Sequence, residues 1–144
     1  MRVVVQRAID AKCIVDNQIV GAIDKGLMLL VGFTDGDTVK EIDYMCKKIV
    51  NLRIFEDENG IMNKSVLDID GKILSISQFT LYGDVSKGNR PSYVKAMKHE
   101  EAKKMYELFN EELKKYISVD EGIFGADMQI AFTNPGPVTI ILER

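Results

Sequence analysis

Leu27-Met28-Leu29-Leu30-Val31-Gly32-Phe33 carries no polar side chain. A short run that is apolar at every position, rather than at every second one, suits a strand covered on both faces. The rest of the chain must supply those covers. On the N-terminal side, the segments from Ala11 to Asp16 and from Gln18 to Ile23 flank Asp16-Asn17, a pair suited to a hairpin turn, and Val3-Val4-Val5 opens a further strand. On the C-terminal side, Thr38 and Glu41 compose a capping box, and Val39, Ile42, Cys46 and Ile49 recur at helical spacing. Met45 and Val50 widen that stripe, so a helix with one apolar face follows the central strand.

Further along, Asn51 to Phe55 reads as a return to strand, and Asp57-Glu58-Asn59-Gly60 reads as a turn. The segment from Lys72 to Thr80 is a predicted strand that enters from the Asp70-Gly71 turn and closes on Tyr82-Gly83. Met105, Leu108, Phe109, Leu113, Tyr116 and Ile117 mark a second helix, from about His99 to Tyr116. Strands near Met128 to Thr133 and Val138 to Leu142 finish the chain. Strands in clusters separated by two helices predict an α+β fold: a single compact domain over residues 1–144, mostly antiparallel sheet or barrel-like β structure, with two main helices. No internal repeat or linker interrupts it.

Composition limits the function classes. With 46% hydrophobic and 28% charged residues, the 144-residue chain can bury a core without staples. Charges inside the apolar start, Met1-Arg2-Val3-Val4-Val5-Gln6-Arg7, argue against a signal peptide or a membrane span, so a cytoplasmic protein with no membrane partner is expected. Cys13 and Cys46 cannot build a disulfide framework or a metal cage and should pack as reduced thiols. A net charge of -3 excludes a uniformly basic coat of the kind that wraps DNA. Its distribution is uneven, however: the stretch from Val85 to Lys104 carries Lys87, Arg90, Lys95, Lys98, Lys103 and Lys104 against Glu100 and Glu101, +4 locally, leaving -7 elsewhere. Such a stretch is either a solvated surface or a local phosphate-binding region.

Catalytic options are few. The single histidine, His99, sits beside Glu100-Glu101 with no nucleophile marked around it, and a surface role is expected. Zinc chemistry lacks ligands, no glycine-rich loop opens a helix, and none of the 22 carboxylates forms a recognisable acid–base pair. Neither a metal nor a cofactor is expected, and an enzyme built on this chain would not rest on a strong side-chain base. Two segments stand out. Ser75-Ile76-Ser77-Gln78-Phe79-Thr80-Leu81-Tyr82-Gly83 ends a buried-type strand in hydroxyls and an amide, which either satisfy a sheet edge or face a ligand. Asn134-Pro135-Gly136-Pro137-Val138-Thr139 places two of the three prolines between apolar runs. Proline lacks the amide donor of a strand interior, so this segment is either a tight hairpin turn or a rigid device whose carbonyls are aimed at a ligand.

Together these two segments resemble the signatures of the D-aminoacyl-tRNA deacylase family, once called D-tyrosyl-tRNA deacylases. Gln6-Arg7, Arg53-Ile54-Phe55, Gly60-Ile61-Met62-Asn63, Arg90-Pro91-Ser92 and Phe124-Gly125-Ala126-Asp127-Met128 extend the likeness over nearly the whole chain. Pro135 departs from it, since many members carry an acidic or other polar residue there; it is expected to stiffen the turn without removing function. The resemblance implies an editing hydrolase for the ester of D-aminoacyl-tRNA that also accepts glycine, with tRNA and a second copy of the chain as partners and the terminal ribose 2′-hydroxyl assisting the chemistry. It implies that Ser77, Gln78, Phe79 and Thr80 hold the aminoacyl end. It further implies that Gly136 and Pro137 form a Gly-cisPro motif, inserted into the partner's pocket to reject L side chains, that Arg7 buttresses this segment with Asn134 also in a supporting role, and that Phe124 lines the adenosine pocket. Lys87, Arg90, Lys95 and Lys98 would meet tRNA phosphates. Two rival readings stay open: an esterase with Thr80 as nucleophile, and a non-catalytic RNA-binding module.

Overall fold

In the computed structural model, which describes all 144 residues, the apolar run up to Gly32 forms the end of a 15-residue strand, with Phe33 just beyond it. The strands are β1 (Arg2–Val15), β2 (Gln18–Gly32), β3 (Phe55–Glu56), β4 (Met62–Lys64), β5 (Lys72–Ser77), β6 (Val119–Glu121), β7 (Gln129–Thr133) and β8 (Thr139–Glu143). The helices are α1 (Val39–Val50) and α2 (His99–Lys114). β2 is central as predicted: β1 pairs with it antiparallel, setting Val5 opposite Leu29, and β5 pairs with it parallel, setting Leu29 opposite Ser75. The main sheet runs β6-β5-β2-β1-β7, and β8 also pairs with β1.

Alternation along β2 divides the core. Leu27, Leu29 and Val31 join Val3, Val5 and Ile73 beneath the two helices, which contribute Ile42, Met45, Ile49, Phe109 and Leu113. Met28 faces the other way with Ala8, Ala11, Cys13, Leu74 and Ile76. Each such aliphatic side chain, removed from water, contributes about 1.5–3 kcal/mol. Ala8, Ala11 and Cys13 share one face although their parity differs. The β1–β7 register shifts between Ile9 and Lys12, where Asp10 takes a positive φ of 51°. Asp16 and Asn17 turn the β1–β2 hairpin with φ of 48° and 63°, the left-handed pair that a tight two-residue turn requires.

α1 starts as its sequence dictates. Thr38 Oγ1 accepts from the Lys40 amide at 3.2 Å, and Glu41 Oε2 accepts from the Thr38 amide at 2.8 Å. Four sequence expectations need correction. The segments around Val3 and Ala11 are one strand, not two. Asn51 to Ile54 is not strand: Asn51 caps α1, its Nδ2 donating to Lys47 O at 2.8 Å while the Leu52 amide donates to Ile49 O at 3.2 Å, and only Phe55–Glu56 pairs, with β4. β5 ends at Ser77 rather than Thr80, because Phe79–Tyr82 coils into a short 3-10 helix. α2 ends at Lys114, where the Tyr116 amide folds back onto Leu113 O at 2.9 Å. No helix is long and apolar enough to cross a membrane.

The last two strands do not form a hairpin. β7 pairs antiparallel with residues Ile9 to Ile14 of β1, and β8 pairs antiparallel with residues Arg2 to Gln6 of the same strand. They therefore run in one direction, end to end, as a single strand interrupted by an excursion over residues 134–138. The prolines explain the interruption, since neither can donate to the ladder. The Gly136–Pro137 peptide bond within it is cis.

Candidate functional site

The polar run at the end of β5 is shaped by the change from strand to 3-10 helix. The Gln78 amide makes the last link to the sheet, donating to Val31 O at 2.7 Å. The helix then closes through Leu81 N to Gln78 O at 3.3 Å and Gly83 N to Thr80 O at 2.9 Å. At the start of such a helix the amides of Phe79 and Thr80 have no acceptor within it. Gly32 makes room for this turn, since a Cβ there would lie 3.0 Å from Gln78 O and 3.3 Å from Leu81 Cβ. Gln78 Nε2 donates to Thr80 Oγ1 at 2.6 Å.

A cavity of about 530 Å³ opens against this turn. Ser77, Gln78 and Phe79 line one side; Phe124 and Asp127 line another, and His99 stands at the start of α2. Three of the four residues of the Ser77–Thr80 signature thus meet Phe124 in one space. Thr80 does not line it; its hydroxyl is turned to Gln78. Phe124 is held edge-on by His99, with ring centroids 5.1 Å apart, and lies 5.9 Å from Tyr106. Tyr106 is buried, donates to Ser75 O at 2.7 Å, and has its hydroxyl pKa pushed up by that burial. His99 is exposed, as expected, yet it also faces the cavity, which sequence reasoning missed. Its neighbours in sequence, Lys98 and Glu100, carried no sign of Phe124, which lies 25 positions away. No trio of His, Cys, Asp and Glu side chains is arranged to hold a metal ion.

The proline excursion is held at its root by Arg7, a guanidinium residue only 8% exposed. Arg7 Nε donates to Pro135 O at 3.0 Å, Nη1 to Ile54 O at 3.4 Å, and the backbone amide to Val138 O at 3.2 Å. Asn134 staples the two ends: its Oδ1 accepts from the Val138 amide at 3.0 Å, and its Nδ2 donates to Thr139 Oγ1 at 3.2 Å. Because position 135 is gripped through its carbonyl, the side chain there is free to differ. Position 136 is not: Gly136 has φ 119°, and a Cβ would lie 2.5 Å from Arg7 Nη2. Arg7 and Asn134 thus stand together with Gly136 and Pro137, but no residue of 134–138 lines this chain's own cavity.

Lys87, Arg90, Lys95 and Lys98 are all exposed and lie on the loop that joins the 3-10 helix to α2. Paired backbone bonds between Asp84 and Ser92, at 2.8 and 2.9 Å, close the tip of that loop. The Asp84 carboxylate accepts from the Ser86 amide at 2.9 Å and pairs with Lys95 at 3.4 Å. Bonds to Ser86, then the Lys95 charge, lower its pKa to about 2. At its far end the loop borders the cavity through Met97.

The family model described as D-Tyr-tRNA(Tyr) deacylase matches residues 4–143. A D-aminoacyl-tRNA deacylase of Anoxybacillus flavithermus is 58% identical over 144 residues, covering 99% of each chain. One of Brevibacillus brevis is 56% identical with the same coverage. Among solved structures, one named c-Myc DNA Unwinding Element Binding Protein superposes with a TM-score of 0.95 at 44% identity, covering 100% of this chain and 99% of that one. A probable eukaryotic D-amino acid tRNA deacylase shares the fold, with a TM-score of 0.84 at 20% identity over 98% of this chain and 97% of that one. With a match that runs almost from end to end and relatives more than half identical over nearly their full length, this chain belongs to the D-Tyr-tRNA(Tyr) deacylase family.

Proposed function

We propose that this chain hydrolyses the ester between a D-amino acid and the terminal adenosine of tRNA, and that it also releases glycine. The observation that carries this reading is the 3-10 turn at the end of β5, which brings Ser77, Gln78 and Phe79 to a cavity shared with Phe124. An ester carbonyl placed there would meet the Phe79 amide, which has no acceptor inside its helix, as its oxygen gains charge. Thr80 is a poor nucleophile in this setting: Gln78 is its hydrogen-bonded partner, and no carboxylate or imidazole bonds to its hydroxyl. The ribose 2′-hydroxyl of the RNA then assists the bond breaking, and the protein contributes orientation and amide dipoles.

Stereochemical choice falls to Gly136 and Pro137. They lie on an anchored excursion that does not line its own chain's cavity, which favours insertion into the cavity of a second copy in a two-fold dimer. Carbonyls in that position would collide with an L side chain. Glycine has none, so the same filter admits it. Lys87, Arg90, Lys95 and Lys98 meet phosphates of the tRNA, and the reaction takes place in the cytoplasm.

Matched D-, L- and glycyl-tRNA esters test the reading with purified protein. The D and glycyl esters are cleaved and the L ester is spared; cleavage of the L ester at the D rate refutes the filter. A substrate whose terminal ribose lacks the 2′-hydroxyl is left intact, and Thr80→Ala turns over at near the normal rate. The second reading, a nucleic-acid-binding module without catalysis, draws on the name of the 44% identical structure. Binding of tRNA with no cleavage of any ester would establish it instead.

A further inference from the structure

We propose that Phe79 and Tyr93 form a stacking step for the unpaired nucleotide that precedes the terminal adenosine, so that the cavity receives a single-stranded RNA end and not a lone aminoacyl-adenosine. The proposal rests on the tRNA-ester reading above. Phe79 is 56% and Tyr93 39% exposed, and their rings meet edge to face with centroids 5.0 Å apart. Phe79 lines the cavity and Tyr93 does not, so the pair leads from the interior to the surface outside.

The pair is built to stay in place. Gly83 lets Tyr93 settle onto the 3-10 helix, because a Cβ there would lie 3.1 Å from both Tyr93 Cε1 and Thr80 O. The Asp84–Ser92 bonds fix the chain before Tyr93. After it, the Ala96 amide donates to Tyr93 O at 2.9 Å, and Thr34 Oγ1 donates to Lys95 O at 2.6 Å. Neither ring needs this exposure to complete the core, which closes without them. The loop carries Lys87, Arg90, Lys95 and Lys98, and its one acidic residue, Asp84, pairs with Lys95. Fixed aromatic faces beside a row of cations suit bases that are unpaired and phosphates that run past them; a base inside a duplex has no free face to offer.

The test compares kcat/KM on a D-aminoacyl-tRNA with kcat/KM on the matching 3′-D-aminoacyl-adenosine. Their ratio measures what the preceding nucleotides add. Tyr93→Ala lowers this ratio about tenfold, mainly through KM on the tRNA ester, the size expected for one lost base–aromatic stack. Tyr93→Phe keeps the ratio, and a thermal melt verifies folding of both variants. An unchanged ratio in Tyr93→Ala overturns the proposal, as does an equal fall on both esters, which would mark a purely structural role. If the parent protein cleaves neither ester, the hydrolase reading is what has failed. The stack is then read from binding of a fluorescein-labelled single-stranded oligoribonucleotide ending in adenosine: weaker binding to Tyr93→Ala by about tenfold supports the step, and equal binding removes it.

Discussion

Replacing Arg7 with methionine keeps most of the side chain's volume while removing the guanidinium, so the change isolates the grip on the proline excursion. Three interactions are lost. The Nε bond to Pro135 O, at 3.0 Å, is charge-assisted and counts for about 1.5–3 kcal/mol. The Nη1 bond to Ile54 O, at 3.4 Å, lies near the geometric limit and adds little. The Glu56 carboxylate stands 4.0 Å away with 61% of its side chain exposed, a pair that contributes at most about 1 kcal/mol. The Arg7 amide still donates to Val138 O, so the pairing of β1 with β8 survives. A loss of about 2 kcal/mol therefore falls on the excursion alone. By the Boltzmann relation it raises the population of alternative positions about thirtyfold. Urea unfolding should show the midpoint lowered with its slope unchanged. Hydrolysis of the L ester relative to the D ester should rise by up to about thirtyfold. If stability falls by that amount and L esters are still rejected as well as before, Arg7 does not position the filter.

Gly136→Ala places a methyl group 2.5 Å from Arg7 Nη2 in a backbone with φ 119°; it should cost about 1–3 kcal/mol and raise hydrolysis of the L ester relative to the D ester, and parental values for both would refute the argument. Burial pushes the Cys46 thiol up to about 12 from its ordinary 9.0. Stability linked to that proton is complete below pH 9 and declines as pH rises toward 12, so a disulfide reagent at pH 8 should leave the native thiol unmodified until denaturant is added. The Asp84 carboxylate, lowered to about 2 from 3.8, supports its loop fully above the higher value and loses that support as pH falls through the lower one. Amide protection factors in residues 84–92, corrected for the intrinsic exchange rate at each pH, should fall over that window, and Asp84→Asn should remove the dependence.

Local rules carried the sequence reading a long way. Thr38 and Glu41 cap α1 where their spacing requires, and the unbroken apolar run lies in the strand with neighbours on both sides. The polar residues after Ser75 and the Pro–Gly segment proved to be separate structural devices, one beside the cavity and one rooted on Arg7. What stayed hidden depends on pairing between distant segments. The parallel match of β5 with β2 and of β6 with β5 is a property of topology that alternation along one strand does not encode. The left-handed Asp10 shifts the face of all that follows in β1, and aspartate also occurs in ordinary turns. His99 gained its place through Phe124, a contact made only once α2 has docked.

Because β7 and β8 are two lengths of one strand on the same edge of β1, the excursion between them also sets a ruler. Ile140 and Leu142 point into the helix-covered core, while Ile141 between them is 63% exposed. Deleting a single residue between Asn134 and Val138 would slide β8 by one position and exchange those faces, burying Thr139, Ile141 and Glu143 in place of the two aliphatics. The segment can therefore drift in sequence far more readily than in length. An insertion scan across residues 134–138 would locate that constraint, since odd and even additions should differ sharply in the amount of folded protein recovered.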